Sequence, residues 1–428
     1  MRELNGKSYL ITGGAGFIGS HVVQALLARK ADVLVLDDLS GGFEENIPAG
    51  ARFIRGSIGD SSLVERLFAE EGFDYVFHLA AYAAEGLSHF IREFNYANNV
   101  VGSMSVLNAC IRHPVKCLVF TSSIAVYGAN QVPMLEETIP APEDPYGIAK
   151  YAVEMDLAAA RRMFGLNYIV FRPHNVYGER QNIGDRYRNV IGIFMSQIMR
   201  GEPLTIFGDG EQQRAFSHID DVAPPMVEAA LTPSCWNEVY NIGADTPYSV
   251  NQLVRIIGNS FGVVPKVNYQ PAREEVKVAY SSHDKIRRAV PCRPPVPLED
   301  GIRRMANWAA THGPRKGEVF SRVEIRDRLP PLWAAAVPAS SRSESSATSR
   351  LMMVSLTWRW KEAGAPRRTP PRRDLLEAVD LDVGGAQGAV GAEAGLRRAR
   401  HGADIRHRLH HLQVHGHRLA GHHLHDAL

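Results

Sequence analysis

Between residues 7 and 170 short apolar runs alternate with amphipathic stretches. The runs Ser8–Thr12 (SYLIT), Asp32–Asp37 (DVLVLD), Arg52–Arg55, 75–79 (YVFHL), 117–122 (CLVFTS) and 168–171 (YIVF) are nearly continuous in apolar character. Helical patterns such as 21–30 separate them. Strands that are apolar on both sides, with helices between them, signal a parallel sheet covered on both faces. Right-handed crossovers then give an α/β, doubly wound domain over residues 1–172. After Arg172 the rhythm loosens, and 190–200 and 250–262 read as helices among short strands and Pro/Gly turns. This predicts a smaller mixed α/β domain over 173–335, some of its elements interleaved with the first. Insertions at the carboxyl edge of such a sheet sit where ligands bind.

A third change of pattern comes near Pro330. Beyond it there is no Tyr or Phe, Lys occurs only at Lys361, and Arg, Ala, Gly and His dominate. The composition of 336–428 predicts a disordered, low-complexity extension, of the kind an out-of-frame reading of GC-rich DNA would give. Its final histidines are too irregularly spaced to define a metal site, and no metal is expected.

Composition narrows the function classes. Hydrophobic residues make up 45% and charged residues 22% of 428, which suits a globular protein of two to three domains. A formal net charge of +2 gives no reason to expect a nucleic acid or a membrane surface as partner. No run approaches the ~18 apolar residues of a membrane span, and no signal segment precedes the first strand. Cys110, Cys117, Cys235 and Cys292 form no C-x-x-C pair. They read as reduced structural thiols, and the expected location is cytoplasmic.

Chemistry enters at Ile11-Thr12-Gly13-Gly14-Ala15-Gly16-Phe17-Ile18-Gly19, where three spaced glycines join a strand to a helix. Glycine permits the tight turn and lets the backbone approach a pyrophosphate, whose charge the helix N-terminus receives. Asp37 ends the next strand, placed to accept hydrogen bonds from both ribose hydroxyls. A 2′-phosphate is repelled there, so NAD is favoured over NADP. Asp38 ranks second for this role and also fits a solvated turn. The first domain is accordingly Rossmann-like.

A second constellation is Tyr146-Gly147-Ile148-Ala149-Lys150, just after Pro145. Tyr and Lys four apart share a helix face, which alone suits an ordinary surface pair. Tyrosine, with a pKa of about 10, is a poor base unless nearby positive charge favours its phenolate. The upstream glycine turn and the hydroxyls of Thr121-Ser122-Ser123 make the reactive reading the better one.

Together these residues resemble the extended short-chain dehydrogenase/reductase superfamily, over about residues 7–335. Further motifs carry the resemblance: His78-Leu79-Ala80-Ala81, Asn98-Asn99-Val100-Val101-Gly102, Ser122-Ser123-Ile124-Ala125-Val126-Tyr127-Gly128, Arg172-Pro173-His174-Asn175-Val176-Tyr177-Gly178, Gly208-Asp209-Gly210-Glu211-Gln212-Gln213-Arg214, Asp220-Asp221-Val222 and Asn241-Ile242-Gly243. The chain looks like the nucleotide-sugar branch, and Pro330-Pro331-Leu332-Trp333 like the end of such a protein. Dehydratases and decarboxylases of that branch carry acidic residues where this chain has Ile124 and Ala125, so the UDP-hexose 4-epimerases are the nearest match.

That resemblance implies catalysis by Tyr146, Ser123 and Lys150. It implies NAD binding by Gly13, Gly16, Phe17, Ile18, Gly19, Asp37, Asp38, Leu39, Ser40, Ile58, Leu79, Ala80, Ala81, Asn99, Ser122, Tyr146 and Lys150. Ser123, Tyr146, Asn175, Arg214 and Arg273 would hold a nucleoside-diphosphate sugar, with a UDP-sugar favoured. Ala279 falls near the position that limits sugar size, and a small residue there leaves room for an N-acetyl group. The resemblance also implies a homodimer built on helices around 99–111 and 146–163. The chain departs from the pattern at Ser57, Ala215 and Ser217, and over 82–92, where Glu85 is a candidate for facing the sugar. A uronate epimerase, reductase or decarboxylase is the alternative within this branch. An NAD-binding regulator without chemistry is the alternative outside it.

Overall fold

Along the longer strands successive side chains face opposite sides of one sheet, and nearly all of them are buried. The computed structural model describes residues 4–129, 131–272, 276–313 and 320–334. The sheet contains β1 (Ser8–Thr12), β2 (Asp32–Asp37), β3 (Arg52–Arg55), β4 (Tyr75–His78), β5 (Cys117–Thr121), β6 (Tyr168–Pro173) and β7 (Glu238–Ile242). Its order is β7-β6-β5-β4-β1-β2-β3, and every neighbouring pair is parallel. Winding reverses between β1 and β4, and a crevice opens beyond their carboxyl ends.

The helices used below are α1 (Phe17–Leu27), α2 (Ser61–Glu71), α3 (Gly102–Arg112), α4 (Pro145–Phe164), α5 (Val190–Met199), α6 (Ala223–Ala230), α7 (Val250–Phe261) and α8 (Leu298–His312). Tyr9, Ile11, Val33, Val35, Phe77, Val119 and Phe171 face a core shared with α1 and α6. Leu10, Leu34, Leu36, Val76, Leu118, Phe120 and Val170 face the other core, with α2, α3 and α4. Each fully buried Val, Leu, Ile or Phe contributes roughly 1.5–3 kcal/mol, so these two layers hold the sheet edge in place. Both β7 and α6 come from beyond residue 173. A third core, with Ile191, Phe194, Leu253, Ile257, Ile302 and Met305, joins α5, α7 and α8.

Helix starts follow the sequence chemistry. The Asp144 carboxylate accepts the Gly147 amide at 2.9 Å, and Pro145 opens α4, which stops at left-handed Gly165. Asp60 caps α2 in the same way. Helix α1 differs, since it begins at Phe17, earlier than the 21–30 pattern suggested, and its cap, Gly16, offers no side chain. Its first amides therefore have no side-chain cap, and a ligand can take them.

No helix among the described residues is long and apolar enough to cross a membrane. Among them, no cluster of His, Cys, Asp or Glu is arranged to hold a metal. The four cysteines are free, and three are buried. The stretch 336–428, together with Arg273, lies outside the described residues.

Candidate active site

The glycine turn forms the floor of a cleft of about 2020 Å³. A single ligand pocket usually measures roughly 300–1,000 Å³, so this one has room for two large ligands side by side. Gly13 has φ +74°, and a Cβ there would lie 2.6 Å from the Ala80 amide nitrogen. A Cβ on Gly19 would strike the Gly13 carbonyl oxygen. Both positions therefore require glycine. Asp37 accepts the Ala15 amide at 3.0 Å and the Leu39 amide at 2.8 Å, which ties β2 to the turn. Burial pushes its carboxyl above the usual range, against those two hydrogen bonds. Asp38 is exposed at the cleft and accepts the Ser40 amide at 2.9 Å.

A buried chain of hydrogen bonds fixes the turn from below. Ala80 N–H donates to Thr12 Oγ1 at 3.3 Å, and Thr12 Oγ1 lies 2.7 Å from His78 Nδ1. His78 Nε2 lies 2.9 Å from Ser103 Oγ, which donates to the Asn99 carbonyl at 2.7 Å. One arrangement satisfies every member: Thr12 donates to Nδ1, and Nε2–H donates to Ser103. Burial pulls the His78 pKa down to about 3, so the ring stays neutral in this role.

Of the residues expected to hold NAD, only Leu39 and Asn99 are absent from the cleft lining. The Asn99 side chain accepts the Tyr82 amide at 2.8 Å and donates to the Tyr82 carbonyl at 3.1 Å, bracing the loop after β4. It belongs to a wide, π-type turn (Ala97–Val101) that no periodicity announced. Asn98, from the same turn, lines the cleft.

The expected reacting groups share this cleft. Ser123, Tyr146 and Lys150 all line it, with Ile124 and Ala125 alongside. Lys150 Nζ donates to the Thr121 carbonyl at 2.8 Å and lies 5.9 Å from the Tyr146 ring centre. Burial pulls the Lys150 ammonium down to about 7, with Glu154 opposing. Burial pushes the Tyr146 phenol up, and a hydrogen bond from Ser123 opposes it. Protein groups alone thus leave the phenol protonated. The Arg188 charge favours the phenolate without outweighing burial, and positive charge brought by a ligand would favour it further.

Beneath the reacting residues lies an ion pair that the sequence reading passed over. Ser122 Oγ donates to Glu154, whose carboxylate takes Arg172 Nε at 3.1 Å and Nη2 at 2.5 Å. Arg172 stacks on Tyr127, 4.7 Å from the ring centre. Tyr146, Lys150 and Glu154 mark successive turns of one face of α4, a spacing that was available in the sequence.

The other wall comes from the second half of the chain. Asn175, Arg214 and Ala279 line the cleft from there, and Glu85 and Ser57 line it from the first half. Asn175, at φ +38°, donates to the Ala215 carbonyl at 3.1 Å. Asn189, Thr205, Phe207 and Arg188 also line the wall and were not anticipated. Asn189 sits at φ +61°, a backbone state that asparagine tolerates and hydrophobic periodicity cannot reveal.

A glycine-floored crevice at the switch point of a parallel sheet, with Ser, Tyr and Lys in its lining, defines a dinucleotide-dependent enzyme of the short-chain dehydrogenase type. Comparison with known proteins agrees: residues 9–243 match the NAD dependent epimerase/dehydratase family, and the chain belongs to it. The UDP-glucose 4-epimerase of Thermotoga maritima, solved with UDP-glucose, is 38% identical, with a TM-score of 0.67 over 71% of this chain and 99% of that one. The UDP-glucuronic acid 4-epimerase of Bacillus cereus, solved with UDP-glucuronic acid and NAD, is 29% identical, with a TM-score of 0.66 over 71% and 99%. The UDP-glucose 4-epimerase of Streptomyces lividans is 33% identical over 267 residues, 59% of this chain and 80% of that protein. NAD is the cofactor, and the Gly13 and Gly19 cradle, the open α1 terminus and the acidic Asp37–Asp38 edge all fit it.

Proposed function

We propose that this enzyme inverts C4 of a nucleotide-linked hexose, with UDP-glucose and UDP-galactose as the first pair to test. One observation carries the reading: Ser123 and Tyr146 face the cofactor cleft, while their cleft neighbours Ile124 and Ala125 can neither give nor take a proton. Chemistry at C5 or C6 needs further acids or bases, and chemistry confined to C4 does not. NAD, when bound, supplies reversible hydride transfer at C4. Tyr146 takes the proton of the 4-hydroxyl and later returns it, while Ser123 hydrogen-bonds the same oxygen. Lys150 stands behind the phenol and serves the cofactor ribose. The 4-keto sugar turns over between the two transfers, and the width of the cleft leaves room for that. No external reductant is consumed.

Asn175 and Arg214 are suited to the substrate's diphosphate and nucleotide ribose, since guanidinium pairs well with phosphate oxygens. Arg273 is assigned to the same task from the family pattern alone. Ala279 is buried at the cleft wall, which favours a second reading in which N-acetylhexosamine is also accepted. The relatives named above, acting on UDP-linked sugars, support UDP as the nucleotide. A homodimer through α3 and α4 is part of the reading, supported by the exposed Val101, Ile148 and Met155 on these helices and the turn that leads into them. The test is a panel of sugar nucleotides incubated without added NAD, with products resolved by NMR. Interconversion at C4 establishes the reaction. Consumption of added NADH with a reduced product overturns it.

A further inference from the structure

The segment from residue 179 to 189 crosses from the second half of the chain to the cofactor end of the cleft. Its base is fastened to the glycine-turn region. His21 Nε2 lies 2.9 Å from the Glu179 carbonyl, and Arg180 Nη1 donates to the Ser20 carbonyl at 3.2 Å. Asn46 Nδ2 donates to the carbonyls of both Ala15 and Arg180 at 3.2 Å. At its tip, the Arg188 guanidinium lies 5.0 Å from the Tyr82 ring centre. Both of its terminal nitrogens are 3.5 Å from where a Cβ on Gly41 would stand.

Those two contacts place the cation. Gly41 belongs to the loop after β2 and Tyr82 to the loop after β4, and β1 runs between those strands. A guanidinium beside both loops therefore stands across the groove that the glycine turn floors. Asp185 accepts Arg188 Nε at 2.6 Å and pairs with Nη2, while Nη1 has no hydrogen-bond partner among the described residues. Arg188 lines the cleft, yet its side chain is only 22% exposed. A planar, permanently charged fork with a donor left over suits a diphosphate.

We propose that Arg188 is a cofactor-binding residue that closes the groove over the pyrophosphate of NAD and makes retention of the dinucleotide depend on the 179–189 segment. The sugar nucleotide carries the same diphosphate chemistry. The place of the cation between Gly41 and Tyr82 assigns it to the cofactor. The inference rests on the use of NAD and not on which sugar is turned over.

The test compares native protein with Arg188→Ala and Arg188→Gln. NAD retained per chain after dialysis is measured first. NADH is then titrated into stripped protein by fluorescence and UDP by calorimetry, with circular dichroism as the check on folding. The expected result is loss of retained NAD and an NADH Kd raised at least about tenfold, as for a lost charge-assisted hydrogen bond, with UDP affinity unchanged. Should the alanine variant fold poorly, the glutamine variant carries the comparison. Native NADH affinity in both variants overturns the proposal. Loss of UDP affinity alone also overturns it, moving Arg188 to the substrate's diphosphate. A raised NADH Kd in a protein that turns over no sugar nucleotide supports this proposal and defeats the function proposed above.

Discussion

Tyr146 is where the proposed chemistry rests on one oxygen atom. Replacing it with Phe removes that atom and leaves the ring packed, so the glycine floor and NAD binding stay intact. The expected loss is about 10²–10⁴-fold in kcat, the usual worth of a positioned acid–base, with NAD content per chain unchanged by absorbance of the denatured supernatant. A variant that keeps native kcat would move proton transfer to another group. Lys150 offers a test that needs no substrate. Its folded pKa of about 7 lies below its ordinary 10.5, so between those values the unfolded chain holds a proton that the folded chain lacks. Native stability should then rise with pH across that window, by at most about 1.4 kcal/mol per unit from this group. Lys150→Met removes the term. Urea melts of NAD-free protein should show the difference between the two moving toward the native chain from pH 7 to 10. A difference that stays constant would mean that Lys150 remains charged in the fold.

At the scale of single elements, the residues legible in the sequence are those fixed by local spacing. Gly13, Gly16 and Gly19 lie at one strand-to-helix junction, and Tyr146 and Lys150 on one helix face, so a short window is enough to pair them. Asn99 and Asn189 were harder, because the first acts from a π-type turn and the second through a positive φ. Arg188 was missed because its partners, Gly41 and Tyr82, lie far from it in sequence. The start of α1 is hard to read in the sequence because its cap is a bare glycine, with no Ser, Thr, Asp or Asn to mark it. The face of α3 and α4 away from the sheet leads to a prediction of its own. Met155 and Ile148 expose apolar surface on α4, and a charge on such a face costs association energy without touching either core. Met155→Glu should convert a native dimer into a monomer in light scattering, with little change in NAD content. A native chain that is monomeric at micromolar concentration would remove the dimer from the proposed function.

For the whole molecule, the question is how much of the chain the enzyme needs. The Thermotoga maritima structure is covered over 99% of its length by 71% of this chain, so the family's complete catalytic unit fits well within 428 residues. The last described residues pack into that unit. Val323, Leu329 and Trp333 form a buried cluster with Ala84, Leu87 and Ile91, and Trp333 packs edge-on against Phe90 and Tyr187. Phe90 and Tyr187 both line the cleft, as does Trp333 itself. The 320–334 stretch therefore buttresses the loop after β4 and the 179–189 segment from behind, tying the last described residues to the active site. Two truncations should behave differently. A chain ending at Ala336 keeps Trp333, and should match the full chain in melting temperature, NAD content and turnover. A chain ending at Val319 loses the cluster, and removal of a buried Trp alone costs roughly 3–5 kcal/mol. It should melt well below the full chain and lose bound NAD as the cleft loops slacken. Equal behaviour of the two would show that the cluster supports nothing at the site. A loss of activity at Ala336 would assign a role to the residues beyond it, which the family's length gives no reason to expect.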